Sequence, residues 1–248
     1  MNKGKQFENM FINEINNKQY INLNNNLKGF IKYLFNNVND KDIIFCENIN
    51  NHQKADVSIT VNKVTKYVSI KTGYENSVHV EKINDFIDYL KSINISSYRI
   101  NDLLLYHYGD ETFNGSGVKR LSAEEAKLKY QKEIYLFNKH INYSANLKNI
   151  IDRFLFKGTN ENNILTDAIY YGNIDIGIWA SRDEILNYFN NHKSMYMKTP
   201  HFSSLTYQNW CRNKNFSSKS ESHRYYIQIK WFSILSDMKK IREEYGEV

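Results

Sequence analysis

The spacing of apolar residues changes character along the first 110 positions. Over residues 3–16, Phe7, Met10, Phe11 and Ile15 fall at helical intervals. Over 26–38, Leu27, Phe30, Ile31, Leu34, Phe35 and Val38 do so more densely. Both stretches predict amphipathic helices. Residues 43–46 are a short apolar run that reads as a strand, followed by a polar loop over 47–54. The period then drops to two. Val57, Ile59 and Val61 alternate with Asp56, Ser58 and Thr60; after a turn near Lys63 and Val64, Val68 and Ile70 alternate with Tyr67, Ser69 and Lys71. This is the pattern of a β-hairpin with one buried face. A helix is expected from about Val78, carrying Ile83, Phe86, Ile87 and Leu90 on one stripe, and then a buried strand over 103–108. After a glycine turn at 114–117, the pattern predicts helices over 123–139 and 144–156, a strand over 174–180 and a helix over 182–190. Residues 193–222 are polar and irregular, and a strand over 224–231 leads into a terminal helix. The order predicts an α/β core over residues 1–112 and an α+β extension over 113–248 that packs on it.

The hairpin carries a geometric consequence. Its apolar positions must share a face, because one side of the sheet packs on the core. Asp56, Ser58 and Thr60 then share the opposite face with Tyr67, Ser69 and Lys71. Pairing Val61 with Lys66 sets Ser58 against Ser69 and Asp56 against Lys71, with Cβ atoms about 4.5–5.5 Å apart. A carboxylate and an ammonium group on one polar face suit phosphodiester hydrolysis. The carboxylate holds a divalent metal such as Mg²⁺, which keeps several waters and binds phosphate oxygens, while the lysine offsets charge on the phosphate or supports the attacking water. The plainer alternative is a solvated ion pair of little energetic weight.

The run from Asp56 to Ser69-Ile70-Lys71 resembles the motif of the PD-(D/E)XK, restriction-endonuclease-like nuclease superfamily. Ala55 stands where that motif often has proline, and Ser69 where it has an acidic residue. One branch of restriction endonucleases has this Ser-X-Lys form and takes its missing glutamate from the following helix. Glu81, at the start of the helix expected there, matches that position; Glu75, in the connecting loop, is its rival. The resemblance also implies a first-helix glutamate at the metal site, a role that falls to Glu8, and makes the Ile70 carbonyl an additional ligand. It covers about residues 4–108. It implies a mixed central sheet flanked by helices, a catalytic set of Asp56, Lys71, Glu81, Ser69 and Glu8, a metal site of Asp56, Glu81 and Ile70, and Mg²⁺ (or Mn²⁺) as cofactor. The implied activity is endonucleolytic cleavage of double-stranded DNA, foremost by a type II restriction endonuclease acting as a homodimer. The alternatives are a structure-selective or phage-defence nuclease, and a nuclease-like DNA-binding protein that has lost catalysis. Helix-dipole stabilisation would equally explain Glu81, solvation Glu8, and a plain first-turn or loop position His79.

Charge and composition add a little to this picture. The 248 residues carry 33 Lys and Arg against 27 Asp and Glu, a net charge of +6, which favours a polyanionic partner. The strand over 224–231 turns Arg224, Tyr226, Gln228 and Lys230 to one side, and arginine and glutamine suit base edges while lysine suits phosphate. Lys119 and Arg120 beyond the glycine turn, and Gln208 and Arg212 beside Trp210, are further DNA-contact candidates. Cys46 and Cys211 lie too far apart for a zinc motif or a disulfide framework. No P-loop implies a nucleotide cofactor, and no GxSxG motif implies a serine hydrolase. With no apolar run of spanning length and no signal-peptide pattern, a cytoplasmic location is expected.

Overall fold

The computed structural model describes residues 3–49, 53–73, 77–159, 164–193, 197–209 and 223–246. It divides into two compact units, and the chain passes between them four times. One unit comprises 1–76, 152–188 and 233–248, the other 77–151 and 189–232. This is not a core ending near residue 112 with an extension after it, because strands from beyond residue 112 complete the first sheet.

In the first unit, helices α1 (Lys3–Ile15) and α2 (Asn25–Leu34) accompany a six-stranded sheet. Its strands, in spatial order, are β1 (Lys18–Gln19), β2 (Ile43–Asn48), β3 (Val57–Val61), β4 (Val64–Lys71), β6 (Ala168–Gly172) and β7 (Gly177–Ser181). The β4–β6 pair is parallel and the others are antiparallel. Parallel neighbours need a long crossover, and here the whole of 77–151 lies between them.

Helix α2 starts where Asn24 accepts a hydrogen bond from the Leu27 amide at 2.8 Å, a side-chain cap for a backbone donor with no helical partner. It ends at Leu34, short of the expected residue 38. Phe11 and Ile15 of α1 and Leu27, Phe30 and Ile31 of α2 are buried with Ile44, Val57, Ile59, Val61, Val68 and Tyr170 in one core. Phe11, Phe30 and Tyr170 meet edge-on at 5.0–6.2 Å between centroids, a favoured aromatic geometry.

The second unit holds strand β5 (Ser77–Lys82), helices α3 (Ile83–Ser92), α4 (Ser97–Tyr108), α5 (Ala123–Lys129) and α6 (Gln131–Asn142), and most of α7 (Leu147–Asp152). Strands β8 (His201–Phe202), β9 (Leu205–Asn209) and β10 (Tyr226–Lys230) join β5 in an antiparallel sheet ordered β5-β10-β9-β8. Phe202 packs edge-on against Phe86 at 5.9 Å and Phe137 at 6.0 Å. Helix α8 (Arg182–Asn191) follows β7, and the terminal helix α9 (Ile234–Tyr245) follows β10.

Several elements differ from those the periodicity predicts. The helix expected from Val78 begins only at Ile83, after a strand. The expected strand over 103–108 is the end of α4, whose buried Ile100, Leu103, Leu104 and His107 follow an i, i+3, i+4, i+7 stripe that the Leu-Leu-Leu run conceals. The single expected strand over 174–180 is the second half of a β6–β7 hairpin, and β6 with four buried residues in a row gives no alternation to read. The irregular stretch over 193–222 contains β8 and β9.

Candidate active site

The hairpin β3–β4 forms with the expected faces but a different register. Val57 opposes Val68 and Val61 opposes Val64, so the turn is the two residues Asn62 and Lys63. Both have positive φ, 49° and 68°, the backbone of the tight turns that match strand twist. Continuing the ladder, the Asp56 amide donates to the Val68 carbonyl at 2.9 Å. Asp56 therefore stands beside Ser69 and is diagonal to Lys71. A two-residue shift keeps every side chain on its face, and a lysine side chain is long enough to close the diagonal.

The result is a closed set of hydrogen bonds. Asp56 Oδ2 accepts from the Ser69 hydroxyl at 3.0 Å, the Ile70 amide at 2.6 Å and the Lys71 ammonium at 3.3 Å. Lys71 Nζ also donates to Ser69 Oγ at 2.6 Å and to the Ile70 carbonyl at 3.2 Å. Ser69 is 1% exposed, while the Asp56 and Lys71 side chains are 24% and 20% exposed. All the bonds to this carboxylate end on Oδ2, so Oδ1 accepts no hydrogen bond from the described residues.

The donor set around this carboxylate suits a hard cation. Asp56 Oδ1 and the Ile70 carbonyl offer oxygens of the kind that would hold such an ion, and Mg²⁺ is commonly held by one or two carboxylates with several waters retained. Among the described residues no group of three or more His, Cys, Asp or Glu is placed to hold a metal. The fit is therefore to a largely hydrated ion rather than to an all-protein cage.

The other expected site residues fall in varied places. Glu8 lies on α1, ion-paired with Lys5 at 3.0 Å. Lys5 also donates to Asn48 Oδ1 at 3.0 Å, and Asn48 opposes Val57, next to Asp56 in the chain. The first turn of α1 is thus tethered at the Asp56 end of β2 and β3, a link through Lys5 and Asn48 that neither helical nor strand periodicity signals. Glu81 lies inside β5, in the second unit, not at a helix start. Its side chain is 2% exposed, with His79 Nε2 at 2.8 Å from its carboxylate. Glu75 and Arg212 lie outside the described residues.

Of the DNA-contact candidates, Arg224 lies in the turn before β10, not on the strand expected from it, and is buried and ion-paired with Asp110. Asp110 also takes the Thr112 amide at 3.0 Å and the Gly117 amide at 3.0 Å, building the glycine turn. Gly115 in that turn has φ +78°, and a Cβ there would lie 2.6 Å from the Tyr108 ring. Lys119 just beyond is exposed and Arg120 half-buried. Gln208, Gln228 and Lys230 are half-buried on β9 and β10.

A mixed sheet flanked by helices, with an aspartate–lysine pair at the end of its central hairpin, defines a restriction-endonuclease-like fold. The crystal structure of the restriction endonuclease MspI in complex with its cognate DNA superposes with a TM-score of 0.59. The match covers 92% of this chain and 88% of that one at 12% sequence identity. No protein-family model and no curated protein matches the sequence.

Proposed function

We propose that this chain is a Mg²⁺-dependent endodeoxyribonuclease, and in the first instance a type II restriction endonuclease, with Mn²⁺ as a substitute metal. The observation that carries the reading is the Asp56–Ser69–Lys71 arrangement on the central hairpin of this fold. Asp56 Oδ1, with the Ile70 carbonyl, would hold the metal, and Glu75 would supply a second carboxylate in place of Glu81, whose side chain is buried against His79 in the second unit. Bound there, the metal would polarise the phosphate and acidify a water. Ser69 fixes the carboxylate and the ammonium group relative to each other, and Lys71 stands ready to stabilise the added charge on the phosphate or to orient the water. Glu8, tethered through Lys5, would act at the margin of the site.

Duplex DNA is the substrate, in keeping with the +6 charge. Two sites are needed to cut both strands, which makes a homodimer the expected assembly. A cytoplasmic location belongs to the same reading; no helix among the described residues is long and apolar enough to cross a membrane. Digestion of a mapped plasmid with Mg²⁺ and with EDTA tests it. Discrete, EDTA-sensitive fragments are expected from the wild type and none from Asp56→Asn or Lys71→Met, both with unchanged circular dichroism. Wild-type cutting rates in Asp56→Asn would overturn the site.

The second reading is a nuclease-like DNA-binding protein without catalysis. It is favoured by Ser69 in place of an acidic residue. It predicts binding that weakens steeply with salt and no Mg²⁺-dependent cleavage.

A further inference from the structure

The outer face of the second unit's sheet has a composition that the nuclease chemistry leaves unused. Strand β10 sits between β5 and β9, and its inward residues Ile227 and Ile229 are fully buried. Its outward residues therefore share a face with outward residues of both neighbours. Gln228 is directly opposite Gln208 on one side and Val80 on the other. Lys230 stands against Thr206, and Tyr226 against Lys82. No acidic side chain stands on this face of the three strands; Glu81 points the other way. The Gln228 amide donates to Ser77 Oγ at 3.0 Å, which fixes its plane while its carbonyl remains open. Gln208 makes no side-chain hydrogen bond among the described residues.

We infer that this face reads DNA sequence in the major groove, with Gln208 and Gln228 taking adenine edges and Lys82 and Lys230 the flanking phosphates. A carboxamide matches the adenine N6 donor and N7 acceptor together. Successive outward rows on a strand are ~6.8 Å apart, two residues of rise. That is about two base-pair steps along B-DNA, so the lysine rows lie about two base pairs to either side of the pair read by the glutamines. Arg224 takes no part, since Asp110 holds it in the interior. The inference rests on duplex DNA being the substrate, but not on the cutting chemistry.

Selection of bound duplexes from a randomised library, with the full chain in EDTA, separates recognition from cleavage. The wild type is expected to enrich a motif containing an A·T pair. Gln228→Ala should lose about tenfold or more of its discrimination at that pair. Gln228→Glu, which can still bond Ser77, should shift the preference toward cytosine, whose N4 amino group donates to a carboxylate. Lys230→Ala should weaken all sequences alike and lower the salt slope by about one. Enrichment of the same motif by wild type and both Gln228 variants, or no enrichment by wild type, overturns the inference. A wild type that selects this motif yet fails to cut with Mg²⁺ would sink the nuclease reading and leave the recognition face standing.

Discussion

Ser69 stands between Asp56 and Lys71 on the hairpin, and its environment shows what a hydroxyl can do there. It is buried, gives its proton to Asp56 and accepts one from Lys71, joining two charged groups that would otherwise meet only across 3.3 Å. Removing it leaves the ammonium group with a weaker hold on its position. Ser69→Ala is expected to cut DNA roughly 10-fold more slowly through misplacement of Lys71, with little change in DNA affinity, as single-turnover kinetics beside a binding titration would show. Ser69→Ala at full wild-type rate would mean that Asp56 and Lys71 orient each other unaided. Cys46 is inert by contrast: burial pushes its thiol up to about 12, out of reach of thiolate chemistry at neutral pH.

At the scale of elements, the hairpin turn carries local backbone strain. Lys63 holds φ 68° in a two-residue turn, a conformation that costs a side chain with a Cβ roughly 1 kcal/mol. Asn62 tolerates its place better, as asparagine commonly does. Lys63→Gly creates the preferred Asn-Gly turn and is expected to raise stability by about 0.5 kcal/mol, part of the gain being offset by the greater freedom of glycine in the unfolded chain. A rise in thermal midpoint with unchanged DNA cleavage would bear this out. Strand β5 illustrates why Glu81 was expected elsewhere. Val78 and Val80 suggest the inward positions, yet the sheet buries His79 and Glu81 with Val78 and leaves Val80 39% exposed. Two polar groups bonded to each other satisfy an interior that neither would enter alone.

For the whole molecule, each return of the chain to its first unit needs an anchor. Asp152 supplies one. It is 2% exposed and makes a bidentate contact with Arg182, both bonds at 2.7 Å, and an ion pair with Lys157 at 2.8 Å. Burial alone would raise its pKa, but the hydrogen bonds from Arg182 and Lys157 outweigh it and hold the carboxyl below its ordinary value. The unfolded chain then binds the proton more tightly than the folded one. The stabilisation is complete above the unfolded aspartate pKa of about 3.9 and fades as pH falls through the folded value. Asp152→Asn is expected to lose about 2 kcal/mol at pH 7, less than for a wholly buried pair because Arg182 and Lys157 are partly solvated. The loss should shrink as pH falls below about 4 and through the lowered folded pKa, and denaturant melts of wild type and variant should draw together over that range.

The polar face of the hairpin was legible in the sequence because strand alternation has a period of two. Any register that keeps Val57, Ile59, Val61 and Val68 inside puts Asp56, Ser69 and Lys71 together outside, so even a two-residue error in pairing preserved the site. The first two helices and α8 were legible for a similar reason, since each buries a stripe of apolar residues at helical spacing. What only tertiary structure decided is the environment of segments whose apolar residues carry no single period. The Leu103–Leu105 run became helix because its neighbours buried a helical stripe. β6 became a strand because it is covered on both sides, and β5 took a polar pair inward because its partners satisfy it. The division of the chain into interleaved units was likewise settled by the parallel pairing of β4 with β6, a contact between residues about a hundred positions apart that no local pattern encodes.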